Sequence, residues 1–179
     1  SKVLERLIHT SGDFQIQNLL KFSENVCENT LEALKLGAPI LTDTDMAAAA
    51  IKTMANKSQR NKVFSARNWI EDNLDCNSTK TAYGIEHAWL ELSKKYHGKV
   101  SPIVVFGSSP TALEKLLDIL EGCENKPTVI IGMPVGFIGV EKSKKRLLES
   151  NVSYIVMGSS RGGAAMAGAT INALLRESI

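Results

Sequence analysis

The sequence predicts an α/β fold: a three-layer, doubly wound, mostly parallel sheet of about five strands with helices on both faces. Three observations carry this. Five short β-branched apolar runs recur, APILTD (38–43), NKVFSA (61–66), SPIVVFGSS (101–109), PTVIIGMP (127–134) and VSYIVMGSS (152–160), each passing into small and polar residues. The runs lack polar alternation, as strands buried on both faces do. Helical periodicity fills the gaps between them, and repeated strand–helix alternation predicts a parallel sheet.

The elements follow in order. LERLIH (4–9) is a first helical segment ended by the turn formers Thr10, Ser11 and Gly12. A helix over 24–36 stops at Gly37, just before Pro39. After the first strand run comes a helix over 44–55, then a polar stretch, NKSQRN (56–61), expected to be a surface loop. A helix over 79–96 follows the second run. Ser109 is placed to cap a helix over 110–120, with Pro110 at the first helical position, where its missing donor costs nothing. Gly122 ends that helix, and two more span 141–149 and 163–177. With no repeat, linker or low-complexity tract, the expectation is one domain over 1–179.

Size and charge narrow the function. The 19.5 kDa chain should fold to ~8,500 Å² of surface from ~28,000 Å² extended, enough burial for a real core. Its 21 Lys and Arg nearly balance 19 Asp and Glu and are interleaved with them, which argues against nucleic acid as partner. A small anion held by a few local cations stays open. No apolar run is long enough to cross a bilayer, so no membrane partner is expected. The start, SKVLERLIHT, has no secretory apolar core, and Cys27, Cys76 and Cys123 are odd in number and in no CxxC spacing. The expectation is a cytoplasmic protein with no metal site.

Ligands of open parallel sheets bind beyond the carboxyl ends of the strands. The residues there are Asp43-Thr44-Asp45, Gly107-Ser108-Ser109, Gly132 to Gly136 and Gly158 to Gly163. Glycine lets backbone approach a ligand, and the helix starts that follow offer free N–H groups to carboxylates or phosphates. A tight strand-to-helix turn explains any one of these loops equally well; three on one edge point to an anionic ligand. Neither GxGxxG after the first strand nor GxxxxGK[ST] is present, and no GxSxG elbow occurs, so nucleotide and hydrolase readings are poorly supported. Of the three histidines, His97 sits before Gly98 at a helix end, and His87 lies mid-helix. His9 differs because a turn follows it at once, which could leave its imidazole facing a cleft. Trp69, Trp89 and Phe137 are large apolar candidates for an interface, with core packing the expected use of each.

The motifs LIHTSGDF (7–14), LGAPILTDTDM (36–46), FGSSPTALEKLLDILEG (106–122), IGMPVGFIGVEKSK (131–144) and GSSRGGAAMAGATINALL (158–175) together resemble the precorrin-8X methylmutase family, or precorrin isomerases, of cobalamin biosynthesis. The likeness runs over nearly the whole chain. It implies an isomerase that moves a methyl group between adjacent ring-C carbons of precorrin-8X or cobalt-precorrin-8, giving hydrogenobyrinic or cobyrinic acid. It also implies no added cofactor, a tetrapyrrole polycarboxylate as substrate, and a homodimer with the site near the subunit interface. The catalytic histidine of the family maps to His9.

Substrate-binding candidates fall in the same motifs. They are Thr10 and Ser11 beside His9; Asp43; Lys80 and Thr81; Ser108, Ser109 and Thr111; Gly132, Pro134 and Gly136; and Arg161, Gly162 and Gly163. Two positions depart from the family pattern. Lys80 stands where an arginine is usual and loses the planar two-pronged grip. The last glycine loop is one residue longer, with Arg161 as its single cation. The chain begins close to the His9 motif, where the family usually has a further segment that helps close the site. These departures leave an alternative of another class: a weakened relative that binds a tetrapyrrole as carrier or regulator.

Overall fold

The computed structural model describes residues 1–58, 60–71 and 78–179. The chain runs α1 (Lys2–Ser11), β1 (Leu20–Phe22), α2 (Val26–Lys35), β2 (Ile40–Thr42), α3 (Asp45–Ser58), β3 (Val63–Ser65), α4 (Lys80–Lys95), β4 (Ile103–Phe106), α5 (Pro110–Leu120), β5 (Val129–Gly132), α6 (Val140–Leu148), β6 (Tyr154–Met157) and α7 (Ala164–Ser178). Short 3₁₀ turns at Phe14–Asn18 and Ala66–Trp69 complete it. The sheet order is β1-β6-β5-β4-β2-β3, parallel except for β1, which pairs antiparallel with β6. The five expected strands are all present and parallel to one another. The sixth, β1, is an addition: its three residues, Leu20, Lys21 and Phe22, include no β-branched side chain and so lack the signal that marks the other five.

Alternate side chains of each strand enter separate cores, which makes the fold three layers. Ile103, Val105, Val129 and Ile131 face a core with α1, α2, α3 and α7, whereas Val104, Phe106 and Ile130 face one with α4, α5 and α6. These strand residues are all 0% exposed, which explains why the runs showed no polar alternation. The total surface is 9104 Å², slightly above the scaling expectation. No helix among the described residues is long and apolar enough to cross a membrane.

Two expectations are corrected. The stretch 56–61 is not simply a surface loop: α3 continues to Ser58, and Asn61 is buried at 6% exposure, its Nδ2 donating to the carbonyls of Leu34 (3.0 Å) and Ala38 (2.9 Å). A short polar side chain can replace a missing backbone partner at such a junction, and composition alone does not distinguish that from solvation. Gln59 lies outside the described residues. Phe137 does not pack in a core but is 96% exposed, next to Ile138 at 91%. Trp89 is buried as expected.

The sheet order also fixes the switch point. After β2 the chain winds outward through α3 to β3, then returns through α4 to β4 on the other side of β2. The carboxyl ends of β2 and β4 therefore flank the crevice where helices leave in opposite directions.

Candidate active site

That crevice is already filled by the chain itself. Asp43, directly after β2, is fully buried, and its Oδ2 accepts from the N–H groups of Ser108 and Ser109 at 2.8 Å each. The Gly107 N–H lies 3.2 Å from both carboxylate oxygens. Burial pushes the Asp43 carboxyl up, against these three amides, which favour its charged form. The free N–H groups expected to meet a ligand carboxylate at this loop are thus spent on an internal one. Asp43, Gly132 and Pro134 were expected to touch substrate, yet all three are buried. Gly132 packs closely inside the core: a Cβ there would lie 2.6 Å from Leu147 Cδ2, and that side chain would have to shift.

Several of the remaining candidates gather in two neighbouring concavities. Thr79, the cap of α4, and Ser109, the cap of α5, join Thr81 and Thr111 in a ring of hydroxyls. Its links are Thr79–Thr111 at 2.8 Å, Thr81–Ser109 at 2.8 Å, Ser109–Thr111 at 3.1 Å and Thr79–Thr81 at 3.2 Å. The outer part of this ring, Thr79 and Thr111, borders a concavity of about 810 Å³ with Lys115, Lys142 and Ile138. Lys80, the first residue of α4, is exposed.

The second concavity, about 520 Å³, is lined by Thr10, Ser11, Gly136, Arg161 and Gly162, together with Phe137. Here two glycine loops are stitched together. The Gly163 N–H donates to the Met133 carbonyl at 2.8 Å, and the Gly136 N–H to the Ser160 carbonyl at 3.3 Å. Only glycine fits at 162, where a Cβ would stand 2.2 Å from the Met133 oxygen. Arg161 pairs with Asp13 at 2.5 Å, a residue the sequence reading did not single out. The Asp13 carboxyl is held below its usual range, first by the Gln15 N–H and then by Arg161.

The other expected residues are placed as follows. Gly163 caps α7, and Ser108 spends its N–H on Asp43. His9 is exposed in the last turn of α1 but does not line the cleft of its neighbours Thr10 and Ser11. It borders a smaller concavity of about 270 Å³ with Arg6, Arg176 and Glu177. The end of α1 thus divides the histidine from Arg161 within one chain. His87 stacks on Tyr83 with centroids 4.0 Å apart, and His97 is exposed beyond α4.

Lys144 was missed altogether. It is 2% exposed, and its ammonium donates to the carbonyls of Ser159 (2.8 Å) and Arg161 (2.5 Å). Burial lowers its pKa to about 8, with Glu141 acting the other way. The signal was available: Val140, Lys144 and Leu147 fall at i, i+4 and i+7, so the lysine sits on the buried face of its helix.

Comparison with known proteins agrees with this architecture. The precorrin-8X methylmutase family model, CbiC, matches residues 1–177. A precorrin-8X methylmutase of Pseudomonas aeruginosa is 35% identical over 98% of this chain and 83% of its own. A cobalt-precorrin-8 methylmutase of Methanocaldococcus jannaschii is 32% identical over 97% of this chain and 77% of its own. The crystal structure of the Thermus thermophilus precorrin-8X methylmutase superposes with a TM-score of 0.85 at 29% identity, covering 99% of this chain and 85% of that one. With a family model spanning all but the last two residues and a shared sheet, the chain belongs to the precorrin-8X methylmutase family.

Proposed function

We propose that this chain is an isomerase of cobalamin biosynthesis that moves a methyl group between adjacent ring-C carbons of precorrin-8X or cobalt-precorrin-8. The single observation that carries the reading beyond family membership is the 520 Å³ cleft, where Arg161, backbone of two glycine loops and the exposed ring of Phe137 meet. A flat conjugated macrocycle bearing carboxylates requires such a mixture: apolar surface for the ring, and donors for its edges. A methyl shift needs no nucleophile, so the protein has to orient the ring and supply a proton to its conjugated system. His9 is the proposed acid, with an expected contribution of about 10²–10³ in rate.

Completion of the site by a second copy is part of the proposal. In one chain His9 and Arg161 face separate concavities, and Phe137 and Ile138 are exposed side by side. A homodimer would cover that apolar pair and can bring one copy's histidine to the other's cleft. The proposed setting is the cytoplasm, in keeping with the free thiols of Cys27 and Cys123.

The test is conversion of precorrin-8X, or its cobalt form, by purified protein, followed by absorption. His9→Ala should lower kcat by about 10²–10³ while a spectral titration still shows binding. Unchanged turnover in that variant would remove His9 from its role. Binding without conversion by the unaltered protein would favour a carrier.

A further inference from the structure

A buried lysine normally has a carboxylate partner, because an unpaired ammonium is costly to remove from water. Among the described residues Lys144 has none within ion-pair distance; its two hydrogen-bond partners there are backbone carbonyls, those of Ser159 and Arg161. An apolar side chain of similar length would fill the same space on α6 without that cost. The cation is therefore retained for what it holds.

What it holds is the β6–α7 loop. This segment is irregular: Ser159 has φ 56, a left-handed conformation unusual outside glycine, and Gly162 and Gly163 have φ 152 and 114. It has little regular hydrogen bonding of its own: the Gly158 N–H at its start donates to the Leu19 carbonyl at 2.8 Å, and its backbone anchors beyond that come from residues 133–144. Met133 accepts from Gly163, Gly136 donates to Ser160, and Lys144 grips the two carbonyls between them. Pinning Ser159 and Arg161, two residues apart, fixes the arc from 159 to 161. That arc carries the guanidinium of Arg161 to the rim of the cleft, where it meets Asp13.

We propose that Lys144 is a positioning residue for substrate: its ammonium sets the 158–163 loop and, through it, the place of Arg161 in the cleft. The inference rests on the reading of that cleft as the tetrapyrrole site. Lys144 touches no substrate; its effect passes through the loop. Binding is thereby altered more than chemistry, because the proposed proton donor, His9, lies on a different element.

The experiment compares Lys144→Met, which keeps the length and removes every donor, with Lys144→Gln, which keeps an N–H donor. Hydrogen exchange reads the loop directly. Lys144→Met should accelerate exchange of the Gly163 amide, which donates to the Met133 carbonyl, about tenfold or more while the 107–109 amides keep their protection, and Lys144→Gln should recover part of it. In turnover, Lys144→Met should raise KM about tenfold with kcat changed less than about threefold. Combined with Arg161→Gln, it should weaken binding no further than Arg161→Gln alone, because both act through one group.

Unchanged exchange at Gly163 overturns the proposal, as do equal acceleration at both loops or multiplying losses in the double variant. Should Lys144→Met not fold, Lys144→Gln is judged by the same three measurements. If the unaltered protein neither binds nor converts the tetrapyrrole, the functional reading fails, and the exchange comparison alone then decides whether Lys144 sets the loop.

Discussion

Two loops at the same edge of the sheet, alike in sequence, do opposite things. FGSS after β4 and MGSSRGG after β6 both follow a buried apolar strand with glycine and serine. After β4 the amides turn inward onto Asp43, and the loop ends as a capped, occupied helix start. After β6 the loop's carbonyls turn toward a buried cation, and Arg161 reaches the cleft rim. The same glycine-serine chemistry is thus a structural brace in one place and the wall of a cleft in the other. The sign of the buried partner decides which: a carboxylate consumes donors, an ammonium consumes acceptors.

The largest expected effect tests the brace. Asp43→Ala leaves three buried N–H groups without an acceptor, so urea unfolding should show a loss of about 3–5 kcal/mol. A loss under about 1 kcal/mol would mean that the loop after β4 is as open as the other, and the contrast would collapse. The second tests the buried cation by pH. Lys144 loses its proton near pH 8 in the folded protein, and near 10.5 when unfolded. Between those values the unfolded chain binds more protons, so stability should rise with pH there, by up to about 3 kcal/mol. Among the described residues the charged group that acts on Lys144 is Glu141 on its own helix. The non-titrating Lys144→Met should lack this rise, and equal pH slopes for the two proteins would deny the buried cation.

Two smaller effects sharpen the contrast. Arg161→Gln should leave the urea midpoint nearly unchanged, because the Asp13 pair is partly exposed, yet weaken tetrapyrrole binding about tenfold in a spectral titration. A matching loss of stability would make the arginine another brace. Phe137→Ser should shift the urea midpoint least, by under about 0.5 kcal/mol, since the ring is 96% exposed. A larger shift would place Phe137 in folding rather than at a binding surface.

Much of the fold was legible because strand runs buried on both faces and capped helices are local patterns. Thr79, Ser109 and the turn at Gly12 cap helices where the residue types say they should. The three-residue β1 was not legible, since its only support is the register with β6. The cleft was legible as a set of glycine loops and as family motifs, but its membership was not. Asp43, Gly132 and Pro134 share those motifs and are buried, whereas Asp13 and Phe137, which stand in the same motifs without being candidates for binding, form part of the cleft region.

By itself, then, the sequence determined the class of fold, the order of its elements, the family and the residue types available for the site. Those are properties of neighbours along the chain: period, caps, turns and motif spacing. Only the tertiary structure decided which loop spends its amides on Asp43, which loop rests on Lys144, and that the end of α1 separates His9 from Arg161. The physical reason is that a buried polar group must find a partner, and the partner lies 64 to 66 residues away for Asp43 and 15 to 17 for Lys144. No local pattern records such a choice.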